Sequence, residues 1–274
     1  MQYPLPKLVT FDGQARSGKG TIVSLVKDYL RDELGLQVML IDAGQVFRVL
    51  VVVMTEDGIE LDNPTAIDAY LSDGARAEQC VQRVKEVYHM TKQERDALLY
   101  TPEISTNSAK IGARPLSQGF KDNLLRKWLR DARTEGFDTV LLDGRALEEV
   151  GAMLAREELC EYVLGLFFVC DPIVSAQRTL GFMPKPYEEL DVETKQAVDE
   201  LVQSIEARNK ADGERAVHPV VPPVSAKKYL VSELPGELPS ATPCPSVIVD
   251  RSIELPFDTM ALPVIRLIER YLTN

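Results

Sequence analysis

Apolar residues fall along this chain in two kinds of pattern. Five short runs are almost uninterrupted: LVTF (8–11), VMLID (38–42), TVLLD (139–143), LFFVC (166–170) and SVIVD (246–250). A strand with one wet face alternates apolar and polar residues, whereas a continuous run marks a strand covered on both faces, as in a parallel sheet between helices. Stretches between the runs carry the spacing of amphipathic helices instead, most clearly 63–90 and 119–136. The pattern predicts a doubly wound α/β fold, a five-stranded parallel sheet flanked by helices.

The gap between the second and third runs, 55–136, is helical in pattern and too long for a loop, so it reads as an inserted subdomain. After the fourth run, 175–217 reads as two helices around a proline-containing turn, with 176–217 able to close over a site as a lid. Residues 218–246 hold much of the proline and break helical periodicity, which predicts an extended surface excursion before the last strand. The core is then 1–54, 137–175 and 218–274, all within a single domain with no internal repeat and no disordered tail.

The first run leads into GQARSGKGT, where Gly13, Gln14, Ala15, Arg16, Ser17, Gly18, Lys19, Gly20 and Thr21 lie between a strand and a helical pattern. Such a turn aims backbone N–H groups at the positive end of a helix dipole, an arrangement suited to phosphate. The spacing matches a phosphate loop except that Gly20 stands where the hydroxyl usually comes. Lys19 is placed to span the β- and γ-phosphates, Thr21 or Ser17 to offer a hydroxyl to Mg²⁺, and Arg16 to point away. The next two runs end in Asp42, with Arg48 beyond it, and in Asp143, with Arg145 beyond it. In an open α/β sheet the carboxyl ends of the strands line the ligand crevice, so Arg48 and Arg145 can clamp phosphate and Asp143 can hold Mg²⁺-associated water. Arg208, Asp212 and Arg215 are spaced by four and then three residues, which on one helix gives two cations flanking a carboxylate; alone, this reads equally as a solvated ion-pair ladder.

Composition narrows the partners. Lys+Arg 31 against Asp+Glu 42 gives a net charge of -11, which repels a nucleic-acid backbone or an anionic membrane, so an anionic ligand requires a local basic pocket. No apolar run approaches a membrane span, and the N-terminus lacks a leader pattern, so the expected location is cytoplasmic. The cysteines, Cys80, Cys160, Cys170 and Cys244, are scattered and read as buried thiols. His89 and His218 lie outside every motif.

FDGQARSGKGT, IDAGQVFR, TPEIS, DGR, FFVCDPIVSAQR, IEARNKADGERAVHP and VIVDRS, with Ser108 and Lys121, resemble the bacterial-type cytidylate kinases. The resemblance implies a P-loop nucleoside monophosphate kinase fold with an acceptor-binding insert and a helical lid. It implies transfer of the γ-phosphoryl of ATP to CMP or dCMP with Mg²⁺, by a monomer. Lys19 and its loop would hold ATP, joined by Arg178 as a lid arginine. Arg48, Arg145 and Arg215 would grip the acceptor phosphate, and Arg208 and Asp212 the ribose. Among the family positions that differ, Ala43 replaces Ser or Thr, Phe47 replaces Tyr, and Ala146 replaces Asp. The first and last are, in the family, acceptors for the cytosine amino group. Ser108 remains for the base, and Lys121 stands where the family places Arg. These changes predict relaxed or altered base choice, with UMP among the candidates. Two alternatives stand beside this reading: a nucleotide-binding regulatory protein without turnover, and a kinase for another small phosphate acceptor.

Overall fold

The computed structural model describes residues 3–273. In chain order its regular elements are β1 (Lys7–Gly13), α1 (Lys19–Asp32), β2 (Val38–Asp42), α2 (Ala43–Glu56), α3 (Pro64–Ser72), α4 (Gly74–Tyr88), α5 (Lys92–Leu99), α6 (Pro102–Gly112), α7 (Pro115–Glu135), β3 (Thr139–Asp143), α8 (Glu148–Arg156), β4 (Glu161–Val169), α9 (Pro172–Leu180), α10 (Val192–Gly213), β5 (Lys227–Leu230), β6 (Ser246–Asp250) and α11 (Phe257–Thr273). Residues 1–41, 129–214 and 218–274 form one compact unit, and 42–128 with 215–217 form a second. Among the described residues no helix is long and apolar enough to cross a membrane.

The sheet of the first unit runs β2-β3-β1-β4-β6-β5. β1 pairs in parallel with both β3 and β4, and β6 pairs in parallel with both β4 and β5. The five apolar runs are all strands; β1, β3, β4 and β6 are buried on both faces as expected, whereas β2 lies at an edge and is mostly half-buried. Val9 and Phe11 face one way into a core with Ile22, Val26 and Leu30 of α1 and Val264, Leu267 and Ile268 of α11. Their neighbours Leu8 and Thr10 face the other way and are buried as well. On that side Thr10 shares a 2.8 Å hydrogen bond with Tyr162, whose ring packs so closely on Gly151 of α8 that a Cβ there would lie 2.6 Å from it.

The expectation of five strands is corrected to six. The additional strand, β5, lies inside the proline-rich stretch and is only KKYL, with its two lysines exposed. Among the described residues its sole neighbour is β6, so it is an edge, and an edge needs no continuous apolar run. Lys228 fixes its end through a 2.8 Å ion pair to Asp250. β4 also begins earlier than the apolar run, at Glu161.

The second unit is helical. Its centre is α2, in which Val49 to Met54 are all buried, so this helix is apolar on every side and is enclosed by its neighbours. The segment 63–90 is two helices because Asp73 interrupts it, accepting from the N–H groups of Ala75 and Arg76 as the N-cap of α4. All four cysteines are buried and reduced, and burial pushes the Cys80 and Cys244 thiols up to about 11 and Cys160 up to about 12.

Candidate active site

In the first unit, β1 ends at Gly13, whose φ of +140 and close approach to β4 admit no side chain: a Cβ would lie 2.2 Å from the Phe168 carbonyl oxygen. The preceding Asp12 is buried. Its carboxylate accepts from the N–H groups of Gly13 (2.6 Å), Ala146 (2.9 Å) and Leu147 (2.6 Å), which ties the turn after β1 to the turn after β3. Burial raises the Asp12 pKa, opposed by those amides and by Lys19.

The loop continues through Gln14, whose N–H donates to Phe168 O at 2.9 Å, and Ala15, whose N–H donates to Oδ1 of Asn209 on α10 at 2.8 Å. Arg16 is exposed, with φ +54. Gly18, at φ +75, caps α1, and Lys19 begins it; Gly20 and Thr21 follow in its exposed first turn. Three consecutive carbonyls of the loop are held by side chains. Ser175 Oγ donates to Arg16 O at 2.5 Å, and Nη1 of Arg251 donates to Ser17 O at 3.2 Å and Gly18 O at 2.5 Å.

Charged groups collect at the carboxyl ends of the strands in this unit. Lys19 forms an ion pair with Asp143 at the end of β3. Two residues later, Arg145 pairs with Asp212 of α10, whose carboxylate also lies 3.8 Å from Arg208 Nε. Asp212 is buried, so two cations share one desolvated carboxylate. The helix ends at Gly213, which leaves Arg215 beyond it; the spacing of Arg208, Asp212 and Arg215 therefore does not become one helical face. Arg178 sits on α9 and turns to the chain after β6, donating to Arg251 O (3.2 Å), Ile253 O (3.1 Å) and Glu254 (3.2 Å). Ala146, where the family carries Asp, is buried in a left-handed conformation with φ +57.

The second unit holds the other expected residues. Asp42 caps α2 by accepting from Gly44 and Gln45, and takes a third bond from Tyr100 OH at 3.2 Å. Ala43 follows it and is buried; Phe47 packs on Gly112. Arg48 stacks over Tyr100 at 4.4 Å and donates from Nη1 to Leu99 O and Ser105 Oγ, both at 3.0 Å. Ser108 Oγ donates to Ser105 O at 3.0 Å. Lys121 is 2 % exposed and its ammonium lies 2.9 Å from Gln118 Oε1 and 3.0 Å from Asp122. Arg215 clusters with this unit.

Asp12, Ser175, Asn209, Tyr100 and Arg251 are not among the residues to which the sequence gives a role. Four of them nonetheless lie inside quoted motifs: Asp12 in FDGQARSGKGT, Ser175 in FFVCDPIVSAQR, Asn209 in IEARNKADGERAVHP and Arg251 in VIVDRS.

The cytidylate kinase family profile matches residues 9–234. Similar proteins include the cytidylate kinase of Shewanella amazonensis, 28% identical over 218 residues, or 78% of this chain and 83% of that one. The cytidylate kinase of Shewanella piezotolerans is 27% identical with the same coverage, and that of Pediococcus pentosaceus is 26% identical over 217 residues, 77% of this chain and 82% of its own. VIVDRS lies beyond the matched residues. With a match spanning most of the sequence, a parallel sheet flanked by helices and a phosphate loop at the end of β1, the chain belongs to the cytidylate kinase family, and so to the nucleoside monophosphate kinases.

Proposed function

We propose that this chain transfers the γ-phosphoryl group of ATP to a pyrimidine nucleoside monophosphate, CMP or dCMP first among them. The observation that carries the reading is the loop itself: Lys19 paired with Asp143 at the head of α1, with Arg145 on Asp212 beside it in sequence and fold. Phosphoryl transfer asks for positioning and charge neutralisation rather than a covalent catalyst, and cations with a phosphate loop supply both.

Lys19 and the amides of 13–21 take the nucleotide phosphates. Arg48, Arg145 and Arg215 take the acceptor phosphate, and Arg208 and Asp212 the ribose. Arg178 acts on the ATP side, and Ser108, Lys121 and Phe47 bear on the base. Asp42–Trp128 is the acceptor-binding unit, and 176–217 the lid. Mg²⁺ supplies charge neutralisation at the phosphates. Ser17 and Thr21 would ligate it, and Asp143 would hold its water. Ser17 Oγ is buried without a hydrogen-bond partner, which suits a hydroxyl kept for such a ligand. Among the described residues no group of three or more His, Cys, Asp or Glu gathers, and Mg²⁺ on a nucleotide needs none, since phosphate and water fill most of its shell.

Base choice differs from that of the relatives. Ala43 and Ala146 carry no acceptor, and a lost hydrogen bond to the cytosine amino group removes about 1–3 kcal/mol of discrimination. Steady-state ADP release with CMP, dCMP, UMP and AMP tests both parts. Turnover with CMP and UMP within about tenfold of each other in kcat/KM is expected. A strong CMP preference overturns the altered base choice, and ATP binding without turnover of any monophosphate overturns transfer itself.

A further inference from the structure

We propose that Arg251 is a positioning residue for nucleotide binding, holding the phosphate loop from its carbonyl side. Its guanidinium is a cation buried in the first unit, 2 % exposed, and among the described residues no carboxylate lies within ion-pair range of it. Its donors go to Ser17 O and Gly18 O, and to Met260 Sδ at 3.5 Å. Burial, with the nearby Arg178 charge, lowers its pKa to about 10. A buried cation is costly, and here it is spent on two carbonyls of one loop.

Peptide planarity says what those bonds do. In a trans peptide the C=O and the following N–H point in opposite directions, so fixing one fixes the other. Holding Ser17 O sets the Gly18 N–H, and holding Gly18 O sets the Lys19 N–H; Ser175 does the same for the Ser17 N–H through Arg16 O. Those successive amides belong to the loop assigned to phosphate. Gly18 is required for the same reason, because a Cβ would lie 2.2 Å from Arg251 Nη1. The arginine adds a positive charge one peptide removed from the bound anion.

Arg251 is in turn fixed by its neighbours. Its N–H donates to Val169 O at 2.9 Å, and its carbonyl accepts from Arg178 at 3.2 Å. Arg178 thus anchors the support. The family match ends at residue 234, whereas Arg251 follows β6. The support therefore comes from chain outside the matched region, wedged into the sheet between β4 and β5.

The inference rests on the reading that the loop binds ATP, and direct ATP binding by the wild-type protein separates the two. Arg251→Met and Arg251→Lys are compared with Leu267→Ala, a core change in α11 that lowers stability without touching the loop. We expect Arg251→Met to raise the Kd and KM for ATP about tenfold, with the monophosphate KM moved less than about twofold, and Arg251→Lys to recover part of the loss. Should Arg251→Met fail to fold, Arg251→Lys alone is read against Leu267→Ala at matched Tm. ATP binding unchanged in the arginine variants, or changed no more than in Leu267→Ala, overturns the proposal. Absence of ATP binding by the wild type overturns the reading of the loop instead.

Discussion

On the proposed function, the two units prepare for their ligands differently. In the first, recognition would be built largely into backbone: the loop's carbonyls and early amides are held by Asp12, Ser175, Asn209 and Arg251, leaving its direction fixed before any ligand arrives. In the second, it would rest on side chains alone, and these already have partners, as Lys19 and Arg145 of the first also do on Asp143 and Asp212. Arg48, proposed for the acceptor phosphate, lies on Tyr100, Leu99 O and Ser105, and Lys121, proposed for the base, on Gln118 and Asp122. A held backbone loses little entropy on binding, whereas a parked side chain must exchange one set of contacts for another. The first arrangement favours tight, unspecific capture of phosphate; the second leaves room for selection among acceptors.

Four substitutions test that contrast, from the largest effect to the smallest. Lys19→Met removes the loop cation assigned to the phosphates and should lower kcat by about 10³-fold with the fold intact by circular dichroism; a loss under tenfold would show that the lysine is not needed there. Gly13→Ala and Gly58→Ala make the same change in the two units at positive φ, but only Gly13 faces a backbone oxygen at 2.2 Å while Gly58 meets nothing within 4 Å. Gly58→Ala should cost about 1 kcal/mol for the left-handed conformation alone, and Gly13→Ala at least about 2 kcal/mol more, read as Tm and denaturant midpoint. Equal costs would mean the loop has slack. Arg48→Ala should raise the monophosphate KM by about 10–30-fold, the worth of a charged hydrogen bond, and leave the ATP KM unchanged. A parallel rise in both would tie the units' binding steps together.

Much of the first unit was legible because a doubly covered strand must be apolar throughout. LVTF, VMLID, TVLLD, LFFVC and SVIVD could be little else, and GQARSGKGT after the first of them fixed the loop. β5 was not legible because an edge strand ending in an ion pair has no need of a hydrophobic run. Asp143 and Arg145 could be named as candidates because charge follows an apolar run, Arg208 and Asp212 because of their spacing, and Arg178, Ser108 and Lys121 only through the resemblance. The loop's supports escaped because each is a side chain bonding to distant backbone, Asn209 to Ala15 and Arg251 to Ser17, and backbone carries no sequence signature. Arg215 was misjudged as a helix-face residue because spacing alone does not show where a helix stops; Gly213 ends it first.

The placement of β6 also dictates an order of assembly. Among the described residues β5 touches no strand except β6, which is made after it, so Lys227–Leu230 has no ladder to join until Ser246–Asp250 has left the ribosome. Until then the outer side of β4 stays open to foreign strands, and the nascent enzyme is at its most aggregation-prone just before Ser246–Asp250 closes the gap.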